Sequence, residues 1–511
     1  MHGEQRKRGD PNIELRMGCP GKLSSADRML KLLLQSFSAN VFLLVIIMIS
    51  CSLEKGNASR GRVGGLEAYQ YQTLPLSSML PPFVCNHTTF KGPSRKASMK
   101  VVHRFGPCSA RTQDPPTMTE LLRQDESRVN SIKARVKSLN MAKNKGGILS
   151  ESKSANLPAA GGGVGNYIVT VGLGTPKKDL DLLFDTGSHI TWTQCKPCAG
   201  KCYKQLAPLF DPATSTTYSN VTCTSDSCSA LLSATSLPPG CLDSTTCVYT
   251  TIYGDGTASM GEFGKDKLTL TSTDAVDAFL FGCGQENLLI GSDSAGLMGL
   301  GRHPLSIVSQ TSQQYGKYFS YCLPTQTGSH GHLTFGKTTN NNNVVNYTPL
   351  LSSQGTTDFY FIDVLAISVN SRRLPISATV FKTSGTIIDS GTFITRLPTP
   401  AYSALRDAFK QEMTMYRPAA PSGGFDACYD FSKDANPTIP KISFTFGGNV
   451  VVDLDPRGVM VSLDKTGSQV CLAFFGDDDG MGIFGNLQQQ TLEVVYDVAG
   501  GKLGFASGGC S

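Results

Sequence analysis

Two stretches of the chain follow one plan, and any fold it adopts must accommodate both. Leu182 to Trp192 reads LLFDTGSHITW and Ile387 to Leu397 reads IIDSGTFITRL, with their aspartates 204 positions apart. In each, an apolar run of strand character leads into Asp, a small hydroxyl residue, Gly and a second hydroxyl, and β-branched residues follow. The pattern predicts two similar strand-to-turn junctions, each presenting one carboxylate.

A pair of carboxylates on matching turns suits the hydrolysis of a peptide bond by water. Like charges a few ångströms apart resist joint ionisation, so one pKa rises and the pair holds a single proton. The ionised partner takes a proton from water while the protonated partner gives one to the carbonyl oxygen. Asp185 and Asp389 are the candidates. Gly187 and Gly391 let the backbone turn closely behind each carboxylate. Thr186, Ser188, Ser390 and Thr392 place a hydroxyl on both sides of each Asp, in reach to hold the carboxylates coplanar.

At these residues the chain resembles the pepsin-like aspartic proteases, over roughly Tyr167 to Cys510. Leu297-Met298-Gly299 and Ile483-Phe484-Gly485 match the elements that pass behind each catalytic loop in that family. Tyr253, with Gly254 and Asp255 in IYGDGTASMG, matches the flap hairpin that closes over substrate, and its turn chemistry suits a hairpin tip. Trp192, the single Trp, falls where the family has the Trp that braces the flap Tyr. Asp255 and His189 lie near the flap and the first turn, in a place to tune specificity. The resemblance implies an all-β, bilobal pepsin-like acid protease fold, with two β-rich lobes flanking an active-site cleft. It further implies an aspartic endopeptidase acting on protein and peptide substrates with no metal or organic cofactor. MKVVHRFGPCS, from Met99 to Ser109, and the Cys-rich insert from Cys195 to Cys247 are similar to nepenthesin-type and chloroplast-nucleoid-type plant enzymes. No saposin-like insert interrupts the second half, which points to the same atypical group. The family also implies pairing of Cys428 with Cys471.

Bulk properties set the context. A length of 511 residues exceeds one ordinary core. Gly 53 and Pro 27, with only 17% charged residues, indicate a β-rich, loop-rich body. The net charge of +6 hides a split: the first 159 residues carry 24 basic and 11 acidic residues, the remainder 22 and 29. A basic leader across an acidic body is held at neutral pH and loosens in acid, so an inhibitory propeptide is expected. The alternative is a leader that only targets the chain or stays disordered. An acidic body disfavours phosphate contacts, so DNA binding is not expected of the mature form. A catalytically silent binding protein, similar to plant xylanase inhibitors, is the rival reading; an inhibitor has no chemical need for both carboxylates.

Twelve of the 16 cysteines follow residue 190, an even set that predicts six disulfides. Cys195-x-x-Cys198-x-x-x-Cys202 resembles half a zinc site, but no spaced His partner follows. Residues 1–58 read as a basic n-region and signal peptide; the densest apolar run, Val41 to Ile49, is nine residues long and short for a membrane span. An uncleaved anchor is the alternative there. Residues 59–160 read as the propeptide, which would act as an intramolecular inhibitor. Within it, LLRQDESRVNSIKARVKSLN, from Leu121 to Asn140, has helical apolar spacing and is expected to lie over the cleft or a lobe. The Gly-rich stretch Ala159 to Gly165 is a place to cut. Residues 161–345 form the N-terminal lobe and 346–511 the C-terminal lobe on this reading. Asn166 to Gly174 is expected to be a half-buried strand, Phe359 to Val369 a single strand, and Thr399 and Pro400 the start of a helix. Sequons at Asn57, Asn86, Asn220 and Asn346 and the dense cysteines fit a monomer on the secretory route to apoplast or vacuole, with a plastid as the alternative.

Overall fold

The computed structural model describes residues 70–80, 85, 97–110, 116–144, 166–289, 292–328, 330–337, 344–351, 358–464 and 466–510. Ala68–Ser511 forms one compact unit. The apolar segment expected to be a signal peptide, the Gly-rich stretch and the sequons at Asn57 and Asn86 lie outside the described residues.

Asp185 ends a central strand and Asp389 directly follows another, and the two strands have equivalent neighbours. Lys178–Asp185 pairs antiparallel with Tyr167–Leu173 and parallel with Gly296–Gly299. Thr386–Ile388 pairs antiparallel with Phe361–Ile362 and parallel with Gly482–Phe484. The two halves join in one closed barrel, where Tyr318–Cys322 pairs with Glu493–Asp497. Glu493–Asp497 in turn pairs with Lys502–Ala506.

The leader enters this sheet. Ser98–His103 lies between Gly331–Phe335 and Tyr167–Leu173, antiparallel to both, and Tyr71–Thr73 pairs with Thr438–Pro440. Met99, Val101 and His103 are buried in alternation, so the leader borrows the body's core rather than making one. The strand Tyr167–Leu173 is buried at every position except Thr170, not on one face only. Tyr167, Val169, Val171 and Leu173 enter the main core, while Ile168 packs with Trp192 and Leu297 on the opposite face.

The run from Phe359 to Val369 is two strands rather than one. Phe361–Ile362 belongs to the sheet of Asp389, while Val364–Val369 pairs with Ile442–Phe446 in a separate four-stranded sheet. Alternation continues through Asp363 while the sheet does not, because Asp363 turns its carbonyl to Gly447 N–H at 2.8 Å. The helix Thr399–Glu412 has Pro in its first turn and buries Leu405 and Phe409. Phe446 sits among Phe505, at 5.0 Å between ring centroids, and Phe484, at 5.6 Å and edge-on.

Disulfides number seven among the described residues, one more than expected: Cys85–Cys108 staples the leader. Cys198–Cys202, Cys223–Cys241 and Cys228–Cys247 lie within the Cys-rich insert, and Cys195–Cys283 ties it to the strand Ala275–Leu288. The half zinc site therefore dissolves into two bridges. Cys428–Cys471 is formed as the family implied, and Cys322–Cys510 anchors the C-terminal end. Removing the Phe446 ring should destabilise the fold by about 3–5 kcal/mol in Phe446→Ala and by less in Phe446→Leu. Denaturant unfolding checks the order of the two.

Candidate active site

The two turns face one another and are cross-linked by their own hydroxyls. Thr186 Oγ1 accepts from Ser390 N–H at 2.9 Å, and Ser390 Oγ accepts from Thr186 N–H at 3.1 Å. Asp185 accepts from Gly187 N–H at 2.9 Å and from the Ser188 hydroxyl. Asp389 accepts from Thr392 Oγ1 at 2.6 Å, Thr392 N–H at 3.0 Å and Gly391 N–H at 3.3 Å. Both carboxylates are fully buried. Gly187 is required by space: a Cβ there would stand 2.6 Å from an Arg128 nitrogen and 2.9 Å from Asp389 Oδ1.

The segments behind the turns bond to the backbone of each aspartate. Leu300 N–H donates to Asp185 O at 2.8 Å, and Asp389 N–H donates to Phe484 O at 3.1 Å. Tyr253 tips the hairpin between Thr246–Ile252 and Ala258–Thr269, and its hydroxyl accepts from Trp192 Nε1 at 3.0 Å. The Asp255 carboxylate accepts from Thr257 N–H at 2.9 Å, which fixes the hairpin turn. A Cβ on Gly254 would stand 2.5 Å from Ser127 O, so the hairpin tip rests on the leader.

What it rests on is the helix Met118–Asn144, which spans the predicted helical stretch. Its Arg128 is buried and reaches both aspartates: Nη2 lies 2.7 Å from Asp185 Oδ1 and 2.7 Å from Asp389 Oδ2. Arg128 Nε adds a bond to Asp389 Oδ2 at 2.9 Å. On either side the helix makes further ionic contacts. Asp125 meets Arg396 at 3.0 Å and accepts from Phe393 N–H at 2.6 Å; Lys133 pairs with Asp477; Arg135 lies 3.3 Å from Asp358. Val129, Ile132 and Val136 pack against Phe359, Phe361, Ile387, Met481 and Ile483.

Burial raises the Asp185 carboxyl above its usual range and the Asp389 charge adds to this, while Arg128 opposes both. Burial acts on Asp389 in the same sense, but Arg128, Thr392 and Gly391 outweigh it and hold that carboxyl low. Burial would weaken the Arg128 cation, yet the two carboxylates more than compensate. His189 is pushed down chiefly by burial, and His303, stacked on it at 5.4 Å, is pushed down to about 4. Among the described residues no group of three His, Cys, Asp or Glu side chains is placed to hold a metal ion.

Comparison with known proteins agrees with this geometry. The family described as xylanase inhibitor N-terminal matches residues 167–337, and xylanase inhibitor C-terminal matches residues 359–507. An aspartyl protease family protein of Arabidopsis thaliana is 45% identical, covering 93% of this chain and 100% of its own. The chain belongs to the pepsin-like aspartic proteases. The protease is also 36% identical to the aspartic proteinase nepenthesin-1 of Nepenthes gracilis, over 68% of this chain and 79% of that one. The crystal structure of basic 7S globulin from soybean shares the fold, with a TM-score of 0.51 at 22% identity over 66% of the protease and 91% of that chain.

The site residues read from the sequence are brought together: both aspartates, their hydroxyl and glycine neighbours, and the Tyr253–Trp192 pair. Sequence reasoning missed Arg128, Arg135, Asp358 and His303. Arg128 is one cation among several on its helix, and nothing local sets it apart. Thr186→Val keeps the side-chain shape and leaves Ser390 N–H buried without its acceptor. It should lower stability by about 1–3 kcal/mol, with Thr186→Ser close to wild type in the same thermal unfolding measurement.

Proposed function

We propose that the protease hydrolyses internal peptide bonds of protein substrates through Asp185 and Asp389, and that it is made as a zymogen. The observation carrying the first part is that one guanidinium nitrogen touches both carboxylates, so a single small group fits between them. In the open cleft that group is water. The ionised aspartate takes its proton as it attacks the scissile carbonyl, and the protonated aspartate donates to the carbonyl oxygen. Thr186, Gly187, Ser188, Ser390, Gly391 and Thr392 hold the carboxylates, and Tyr253, Gly254 and Asp255, braced by Trp192, cover the substrate. The chemistry needs no cofactor. The rival reading of a silent inhibitor leaves the complete hydrogen-bond set around both carboxylates without a purpose.

Residues 59–160 act as the propeptide on this reading, ahead of lobes at 161–345 and 346–511. Its helix keeps water from the dyad while Arg128 is in place. Seven disulfides suit an oxidising compartment, and the sequons at Asn220 and Asn346 are exposed. Both support a secreted or vacuolar glycoprotein carrying an N-terminal signal peptide.

The sign of the pH response follows from linkage. His303 is held low chiefly by burial and by His189; among the charges acting on it Arg135 is the one the helix brings, so losing the helix eases its protonation and proton uptake there favours the open form. Asp389 and Asp358, held low in the closed form, act in the same direction. Asp125 and Asp185, both raised in the closed form chiefly by burial, run the other way, although Arg128 opposes the rise at Asp185. The precursor should therefore be latent at neutral pH and open in acid, as Asp389 and Asp358 take up protons below their ordinary 3.8. Self-cleavage measured against pH checks this, and equal rates at neutral and acid pH would sink it. Arg128→Gln should move the onset to higher pH.

Asp185→Asn and Asp389→Asn should each remove pepstatin-sensitive cleavage of a denatured protein while the fold, followed by circular dichroism, persists. Substantial turnover by either variant would exclude the dyad.

A further inference from the structure

Arg135 occupies a pocket that the body of the protease builds without help from the helix. Its guanidinium lies 3.1 Å from Ser233 O, 3.4 Å from Ala234 O and 3.3 Å from Asp358 Oδ2, and the side chain is buried. Around these acceptors the body is pre-arranged. His303 Nδ1 accepts from Leu305 N–H at 3.1 Å, which leaves Nε2 carrying the proton and donating to Ser233 Oγ at 2.9 Å. Ser233 Oγ donates in turn to Ala230 O at 3.0 Å. His189 Nε2 stands 3.7 Å from the Asp358 carboxylate, within ion-pair range but beyond a hydrogen bond. When the helix leaves, one carboxylate and two carbonyl oxygens remain converged on an empty volume inside the cleft. Such a set of acceptors is stabilised by a cation with several donors, and a guanidinium suits it best.

We propose that this pocket, with Asp358 at its base, is a substrate subsite of the mature protease that selects an arginine or lysine side chain. The proposal rests on the reading of the helix as a propeptide in the substrate cleft. Its distance from the dyad is fixed by the helix itself. Arg135 follows Arg128 by seven residues, about 10 Å at about 1.5 Å per residue. A substrate in extended form covers that distance in about three residues at about 3.3 Å each. The selected side chain therefore belongs about three residues from the scissile bond, always on the same side of it. The flanking apolar surface of Phe359, Phe361 and Ile387, which the helix covers with Val129, Ile132 and Val136, extends the site towards the dyad and takes up the substrate's intervening side chains.

The full-length chain, activated in acid, is tested on a denatured protein mixture and on a matched peptide pair with Arg or Ala at the selected position. Cleaved sites are expected to be enriched in Arg or Lys at one position two to four residues from the bond. The Arg peptide should be preferred about tenfold in kcat/KM, mainly through KM, as for a hydrogen bond to a charged group. Asp358→Asn should bring the pair towards parity and Asp358→Glu should keep the preference. Efficient cleavage with no basic preference, or a preference unchanged in Asp358→Asn, overturns the subsite while leaving the endopeptidase reading intact. If neither variant accumulates, the wild-type peptide comparison decides the matter. Absence of any cleavage at acid pH overturns the endopeptidase reading and the subsite with it.

Discussion

Two carboxylates buried side by side are the hardest demand this chain meets. Each ion taken out of water loses several kcal/mol of solvation unless donors surround it. The turns supply those donors locally, through Gly187 and Gly391 N–H groups and the Ser188 and Thr392 hydroxyls. They cannot supply a countercharge. Arg128 does so, with one nitrogen shared between both aspartates. Removing it without admitting water would leave an uncompensated pair, the costly case for buried charge. Much of the architecture serves to hold the turns rigid around this point. The parallel partners Gly296–Gly299 and Gly482–Phe484 hold each turn within its own half, and the reciprocal Thr186 and Ser390 bonds fix it to the opposite half of the molecule.

What the sequence revealed was whatever depends on a short window. The two turns, the hairpin at Tyr253, the helix after Thr399 and the amphipathic stretch from Leu121 are each written within about a dozen residues. The long-range features were hidden. Arg128 meets Asp185 across 57 positions and Asp389 across 261, and Arg135 meets Asp358 across 223. The leader strand Ser98–His103 shows alternation but does not name its partners, which lie on both sides of it in the body. The break at Asp363 was invisible for a related reason: alternation reports which face is buried and is silent about a change of sheet. Among the cysteines, the family supplied the Cys428–Cys471 pairing, while the even count covers only the twelve cysteines after residue 190 and so leaves out Cys85–Cys108.

The charge asymmetry between leader and body was real but coarse. Contacts along the helix are specific and not all of one sign: Arg128, Lys133 and Arg135 meet carboxylates, whereas Asp125 meets Arg396 of the body. An attraction between net charges would be screened beyond about 8–10 Å at ordinary ionic strength. These pairs are at contact, and the ones at Arg128 and Arg135 are buried, where salt reaches them poorly. Salt should therefore be a weak means of freeing the helix, and protons a strong one.

Protons act on only part of the hold. Val129, Ile132 and Val136 are buried against Phe359, Phe361 and Ile483, and each contributes about 1.5–3 kcal/mol of apolar burial that does not change with pH. Acid can neutralise the carboxylates and charge His189 and His303, yet this apolar seam still favours the closed form. On the zymogen reading, acid then loosens the helix rather than expelling it, while the strand Ser98–His103 keeps the rest of the leader in the sheet. The helix and the strand thus answer different requirements. One responds to protons because ion pairs dominate its contact with the dyad, and the other persists because backbone hydrogen bonds in a sheet carry no titratable group.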